Sequence, residues 1–157
     1  MPYEIERKFL VADEKILDGL EGTLCRQAYI FTTGYTVVRV RIAGDNAYIT
    51  LKGSNDGIKR LEYEYEIPRN HAMEIIDRLC DGSVIEKIRY SVMYEGHEWI
   101  IDKFIKDNLG LVVAEIELDK ENETFKLPQW IGKEVTEDPR YYNVSLAKNP
   151  YVKWQDS

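Results

Sequence analysis

The chain lacks most of what usually gives a short sequence away. It has two cysteines in 157 residues, Cys25 and Cys80. That is neither the number nor the spacing of a disulfide framework or a thiolate metal site. It has two histidines, His71 beside an expected helix start and His97 just after an expected turn, and both read as surface residues. No apolar run approaches membrane-spanning length, and Met1-Pro2-Tyr3-Glu4 leads straight into a strand pattern without a leader, so a cytoplasmic chain with no membrane partner is expected. An excess of positive charge is also missing. With 21 Lys and Arg against 28 Asp and Glu, the net charge of −7 argues against broad nucleic-acid binding. There is no solenoid repeat and no low-complexity tract. A single domain over 1–157 is expected, long enough to bury about 70% of its unfolded surface.

What is present is alternation. Tyr3 to Val11 reads as a strand with Glu4, Glu6 and Lys8 on one face and Tyr3, Ile5 and Phe9 on the other. The design returns along the chain. Arg39 and Arg41 oppose Val38, Val40 and Ile42; Lys52 opposes Ile49 and Leu51; Arg60, Glu62, Glu64 and Glu66 oppose Leu61, Tyr63, Tyr65 and Ile67. Lys87 and Arg89 oppose Ile88, Tyr90 and Val92; Asp102 opposes Trp99 and Ile101; Glu115 and Glu117 oppose Ala114, Ile116 and Leu118. Between the strands, 12–20 has helical spacing with Asp13 as N-cap, 53–57 reads as a mobile loop, and Asn70 caps a helix running to about Cys80. From Glu121 onward the pattern is helical and irregular, with starts at Pro128 and Asp138-Pro139.

The wet face of an ordinary antiparallel sheet is polar but mixed. Here it is almost purely Glu, Asp, Arg and Lys, while the apolar face is dominated by large residues that helices can cover. The charged faces are therefore expected to point inward. Ionised side chains inside a barrel are costly unless opposite charges pair or a charged ligand fills the space. The acidic set (Glu4, Glu6, Glu62, Glu64, Asp102, Glu115, Glu117) offers hard oxygen ligands only, which suits Mg²⁺ or Mn²⁺ rather than Zn²⁺. The basic set (Lys8, Arg39, Arg41, Lys52, Arg60, Lys87, Arg89) suits phosphate oxygens. Both sets in one cavity fit a metal-chelated oligophosphate, for which positioning and charge neutralisation do most of the chemistry.

Glu4-x-Glu6-x-Lys8 resembles the signature of the CYTH superfamily, the triphosphate tunnel metalloenzymes. The resemblance continues through Val38-Arg39-Val40-Arg41, Thr50-Leu51-Lys52-Gly53, 62–68, 85–90, Trp99-Ile100-Ile101-Asp102 and 114–118. It implies an α+β fold: an eight-stranded antiparallel β-barrel with flanking helices and a C-terminal helical segment. It implies a lumen that binds a small-molecule triphosphate and one or two divalent cations. Glu4, Glu6, Glu115 and Glu117 would be the principal metal ligands, with Glu62, Glu64 and Asp102 in or beside that shell. Lys8, Arg39, Arg41, Lys52, Arg60, Lys87 and Arg89 would contact substrate, and Glu66 would be a structural charge near the rim.

The implied reaction is metal-assisted hydrolysis of a terminal phosphoanhydride, with Glu4 or Glu6 orienting or deprotonating the attacking water. The family also includes thiamine triphosphatases and class IV adenylyl cyclases. Those need a stacking pocket at the tunnel mouth. Trp99 has the wrong parity to supply one, so inorganic tripolyphosphate is the favoured substrate. A polyphosphate or nucleotide sensor without turnover is the non-enzymatic alternative, and seven carboxylates facing an anion argue against it. Tyr29 is a further candidate contact near the entrance. The segment 128–151 is expected to act as a lid, with a permanently packed wall as the other outcome. The residues do not choose between monomer and homodimer.

Overall fold

The computed structural model describes residues 2–156, the side chains of 155 and 156 excepted. Nine strands form one sheet: β1 (Tyr3–Val11), β2 (Thr23–Ile30), β3 (Val37–Ala43), β4 (Asn46–Asp56), β5 (Lys59–Ile67), β6 (Asp81–Tyr94), β7 (His97–Ile105), β8 (Val112–Glu117) and β9 (Ile131–Glu134). Two helices accompany them, α1 (Arg69–Arg78) and α2 (Asn143–Lys148). The sheet runs β5-β4-β3-β2-β6-β7-β8-β1-β9 and closes on itself because β5 also pairs with β1. Strands β1 to β8 thus make a closed antiparallel barrel, as the alternating pattern and the resemblance imply.

Closure depends on how β1 divides one of its edges. Its first residues pair with β5 (Tyr3↔Leu61, Glu4↔Arg60, Ile5↔Lys59). Its last residues pair with β9 (Phe9↔Glu134, Val11↔Ile131). The opposite edge carries β8 from Glu6↔Glu117 to Leu10↔Val113.

The apolar faces look outward and are covered in patches. Ala72 and Ile76 of α1 pack on Ala28, Val40, Ile42 and Ala47. Phe9, Trp99, Ile101 and Ile116 lie under the crossing chain of Phe125 and Trp130, with edge-on aromatic contacts. Leu146 and Ala147 of α2 instead pack on Ile85, Phe104 and Val113, which share the inner face with Lys87, Asp102 and Glu115. The outer face of β4 and β5 is left open, with Leu51, Tyr63 and Tyr65 exposed.

Local expectations fail where short polar stretches are captured by pairing. The expected loop 53–57 is mostly strand: β4 runs to Asp56, pairing Asn55↔Arg60 and Asp56↔Lys59 after a register shift past Lys52. The expected helix at 12–20 shrinks to a 3₁₀ turn, Glu14–Leu17, with Asp13 accepting from the Lys15 N–H and a break at Gly19 (φ +79°). Pro68, not Asn70, precedes α1, and it makes no side-chain cap. The tail beyond Glu121, expected to be helical and irregular, also contributes β9.

Candidate active site

The inward charges meet in one cavity of about 90 Å³. From β1 come Glu4, Glu6 and Lys8; from β2 Tyr29; from β3 Arg39; from β4 Lys52 and Asn55; from β5 Arg60; from β6 Lys87 and Arg89; from β8 Glu115. The period of two puts each on the inner face because its neighbours are needed outside. Ile88 and Tyr90, for example, alternate with Lys87 and Arg89.

Cations and carboxylates are interleaved rather than segregated. Lys52 Nζ lies 3.2 Å from Glu4 Oε1, and Lys8 Nζ lies 3.6 Å from Glu115 Oε1. Arg39 donates to Thr50 Oγ1 at 3.1 Å and to Glu64 Oε2 at 3.2 Å; Arg41 Nη2 is 3.6 Å from the same oxygen. Asp102 is only 2% exposed and is held at both oxygens. Arg89 donates to them from Nε (2.8 Å) and Nη2 (2.9 Å), and Lys87 Nζ stands 2.9 Å from Oδ2. Arg60 donates from Nε to the Gly53 carbonyl at 2.8 Å.

Against that pairing, Glu4 and Glu6 stand out. Burial, and then Glu115 and Glu4 nearby, push the Glu6 carboxyl up to about 8. Burial and a hydrogen bond with Glu62 push Glu4 up to about 7, with Lys52 opposing. Glu117, exposed at the rim across from Glu6, is raised by partial burial and by Glu4. Glu115 behaves otherwise: burial works to raise it, but Lys8 prevails and holds it below the ordinary carboxylate range. Burial pushes the Lys87 ammonium down to about 8 in spite of Asp102.

The negative charges of Glu62 and Glu115 thus raise the proton affinity of Glu4, and those of Glu115 and Glu4 raise that of Glu6. A divalent cation among them would exchange that repulsion for attraction, and the donors are all hard oxygens. No group of three His, Cys, Asp or Glu among the described residues is arranged as a ready-made metal cage.

The structure brings together most of the residues singled out by parity, but not in one role. Glu4, Glu6, Lys8, Arg39, Lys52, Arg60, Lys87, Arg89 and Glu115 line the cavity. Arg41, Glu62, Glu64, Asp102 and Glu117 stand outside that lining. Glu64 and Asp102 are engaged by arginine and lysine, Glu62 backs Glu4, and Glu66 is exposed. Tyr29 lines the cavity as well.

Missing from the sequence reading were Thr136, Tyr142, Asn143 and Val144, which wall the cavity from the C-terminal side. The Tyr141 carbonyl accepts from Lys8 Nζ at 3.2 Å, and Asn143 Oδ1 accepts from Lys87 Nζ at 3.1 Å. Across the mouth, Asn55 Nδ2 donates to Tyr142 Oη at 3.3 Å. Gly82 allows the tail this close: its φ is +70°, and a Cβ there would sit 2.7 Å from the Ala147 carbonyl oxygen. They lie in the segment 128–151 expected to close the bore, but no charge alternation marks them, so the pattern did not single them out as site residues.

A closed barrel with a charge-lined bore and an N-terminal Glu-x-Glu-x-Lys strand defines a triphosphate-tunnel architecture, and the comparisons agree. The sequence model of the CYTH domain matches residues 2–151, and the chain belongs to that family. It is 51% identical over 156 residues to an inorganic triphosphatase of Acetivibrio thermocellus, spanning 99% of this chain and 100% of the relative. It is 39% identical over 149 residues to an inorganic triphosphatase of Nitrosomonas europaea, spanning 92% and 96%. Among solved structures, the crystal structure of an inorganic triphosphatase superposes with a TM-score of 0.67 at 36% identity, covering 94% of this chain and 95% of that one. A protein of Pyrococcus horikoshii shares the fold at TM-score 0.59 and 22% identity, covering 76% and 80%.

Proposed function

We propose that the protein hydrolyses inorganic tripolyphosphate to pyrophosphate and phosphate inside the barrel, with Mg²⁺ or Mn²⁺ as cofactor. The observation that carries this reading is the composition of the bore: six Lys and Arg side chains and the Glu4-Glu6-Glu115 cluster line the same cavity. The names of the two relatives support the same activity.

Lys8, Arg39, Lys52, Arg60, Lys87 and Arg89 bind the phosphate oxygens, the arginines as forks and the lysines as point charges. Arg41 stands behind them and shares Glu64 with Arg39. Glu4, Glu6 and Glu115 hold the cation, with Glu62 and the rim residue Glu117 beside them. When bound, the ion neutralises phosphate charge and acidifies a water. Glu4 or Glu6 aligns the attacking water and takes its proton at a carboxylate oxygen. Asp102 and Glu64 keep the cation cradle in place by pairing with it. The C-terminal segment, which walls the cavity, keeps bulk water out, and that strengthens every charge contact within.

The names of both relatives, inorganic triphosphatases, favour the inorganic substrate over a nucleotide or thiamine ester. No helix among the described residues is long and apolar enough to cross a membrane, and we assign the activity to the cytoplasm. The test is phosphate release from tripolyphosphate, ATP and thiamine triphosphate, each with Mg²⁺, Mn²⁺ or EDTA. Rapid release from tripolyphosphate alone, abolished by EDTA, is expected. Tight binding of all three without release would make the protein a sensor.

A further inference from the structure

Gln27 lies on β2 and is completely buried, two residues from Tyr29 on the same face. Its side-chain nitrogen donates to Tyr29 Oη at 2.8 Å and to Asn143 Oδ1 at 3.3 Å. Asn143, the first residue of α2, accepts from Lys87 Nζ on that same oxygen, and Lys87 is 1% exposed.

The chemistry of this chain of contacts allows only one orientation. An ammonium has donors only, so Lys87 turns the oxygen of Asn143 toward itself. That oxygen requires the nitrogen of Gln27, not its carbonyl, at the junction. With Gln27 donating, Tyr29 Oη must accept, and the phenolic proton is left to point elsewhere. Tyr29 lines the cavity, with the charges of Arg39 and Lys8 acting on its hydroxyl, so the free direction is the bore. Gln27 Oε1 has no hydrogen-bond partner among the described residues. A buried amide with one end unsatisfied is costly, so its place in the barrel is not explained by stability.

From this geometry we propose that Gln27 and Asn143 are positioning residues. Together they fix the Lys87 ammonium and set the Tyr29 hydroxyl as a hydrogen-bond donor to the bound phosphate chain. The inference rests on the tripolyphosphatase reading. It makes the docking of α2 part of the assembly of the active site, because Asn143 carries the tail's contribution to this chain of contacts among the described residues.

The test is steady-state hydrolysis of tripolyphosphate by the full-length protein with Mg²⁺ or Mn²⁺. Gln27→Met and Asn143→Leu keep volume and remove the polar link. Each is expected to lower kcat about tenfold or more while KM stays within about threefold, since misplacement of a reacting contact acts on the transition state. In a Tyr29→Phe background, Gln27→Met should cost less than about twofold more, because it acts through the missing hydroxyl. Unchanged kcat, or losses that multiply with Tyr29→Phe, would overturn the proposal. A second readout needs no turnover. By NMR without substrate, the Gln27 side-chain amide protons should exchange slowly in wild type and faster in Asn143→Leu, and equal rates would overturn the link. A wild type inactive on tripolyphosphate removes the functional reading, and the exchange rates then decide the link alone.

Discussion

Asp102→Asn separates two roles that a carboxylate in a metal-and-phosphate tunnel can have. By parity Asp102 belongs with the metal-binding acids. In the folded chain its two oxygens are taken up by Lys87 and Arg89, through three contacts of 2.8–2.9 Å. Asparagine keeps the shape and one acceptor but deletes the charge, leaving Lys87 buried without a counter-ion. Removing one partner of a buried ion pair costs about 3–5 kcal/mol. The retained Oδ1 and the partial exposure of Arg89 put the expectation near the lower end, about 3 kcal/mol. Urea unfolding of metal-free protein at pH 7 measures it.

The pH dependence gives the cause. Lys87 already has its folded-state pKa lowered to about 8 by burial, with Asp102 opposing the shift. Without Asp102 the pKa falls further. Between a lowered folded pKa and the ordinary lysine value, the unfolded chain binds more protons than the native one, so stability rises with pH. In Asp102→Asn this rise begins at lower pH, because Lys87 can fold as a neutral amine. The stability gap to wild type should therefore narrow between pH 7 and pH 9. Binding of tripolyphosphate should weaken while the Mg²⁺ concentration for half-maximal activity stays within about twofold. An equally stable variant whose metal requirement rises tenfold would refute this reasoning and make Asp102 a metal ligand.

Glu4→Gln and Glu6→Gln should each abolish turnover yet leave the metal-free thermal midpoint at or above that of wild type, since each deletes mutual repulsion; near-normal turnover in both would remove β1 from the metal site. Arg39→Ala should weaken tripolyphosphate binding, measured by calorimetry, by about 1.5–3 kcal/mol, the scale of charged hydrogen bonds, and Arg41→Ala, behind the lining, by less, while metal binding without substrate stays intact. Arg7 grips Glu134 on β9 at 2.6–2.8 Å, and that hydrogen bond holds the Glu134 carboxyl below its ordinary range. Its contribution is present above the ordinary carboxylate pKa and lost as the pH falls through the lowered one. Glu134→Gln, at a half-exposed pair, should cost no more than about 1 kcal/mol at pH 7 and nothing near pH 2, by urea unfolding. Hydrogen exchange over 128–151, with and without a non-hydrolysable triphosphate and Mg²⁺, should show protection rising on binding if the tail is a lid, whereas high and unchanged protection makes it wall.

The barrel was legible because its physics is periodic. Alternation assigns every β-strand residue to inside or outside, and a strand such as β6, with Lys87 and Arg89 against Ile88 and Tyr90, admits one sensible orientation once the charges are known to share a bore. Periodicity carries no information about who pairs with whom inside. Asp102 and Glu115 have the same parity and chemistry, yet Asp102 is clamped between two cations while Glu115 shares its surroundings with Glu6 and Lys8. That division is set by strand register, Arg89↔Asp102 on one side and Lys8↔Glu115 on the other. Register is a tertiary outcome, and no local spacing encodes it. The same limit hid the extension of β4 through Gly53–Asp56, where turn-forming residues are held extended by pairing with β5.

The C-terminal third was illegible for a different reason, and that reason bears on how the site is completed. Its contacts are made by backbone and amide groups: the Tyr141 carbonyl on Lys8, Asn143 on Lys87, and Thr136 Oγ1 accepting from the Lys8 N–H. Such groups leave no signature in composition, whereas the anchors do: Leu146 and Ala147 are buried against the barrel, and Tyr141, Tyr151 and Trp154 stack edge-on. A bore lined only by ionised groups would leave Lys8 dependent on Glu115, which the cation also needs, and Lys87 on Asp102, which Arg89 shares. Neutral oxygens from the tail satisfy part of each ammonium without adding negative charge. They hold the lysines in place while leaving their charge for phosphate, which more carboxylates in the same positions could not do.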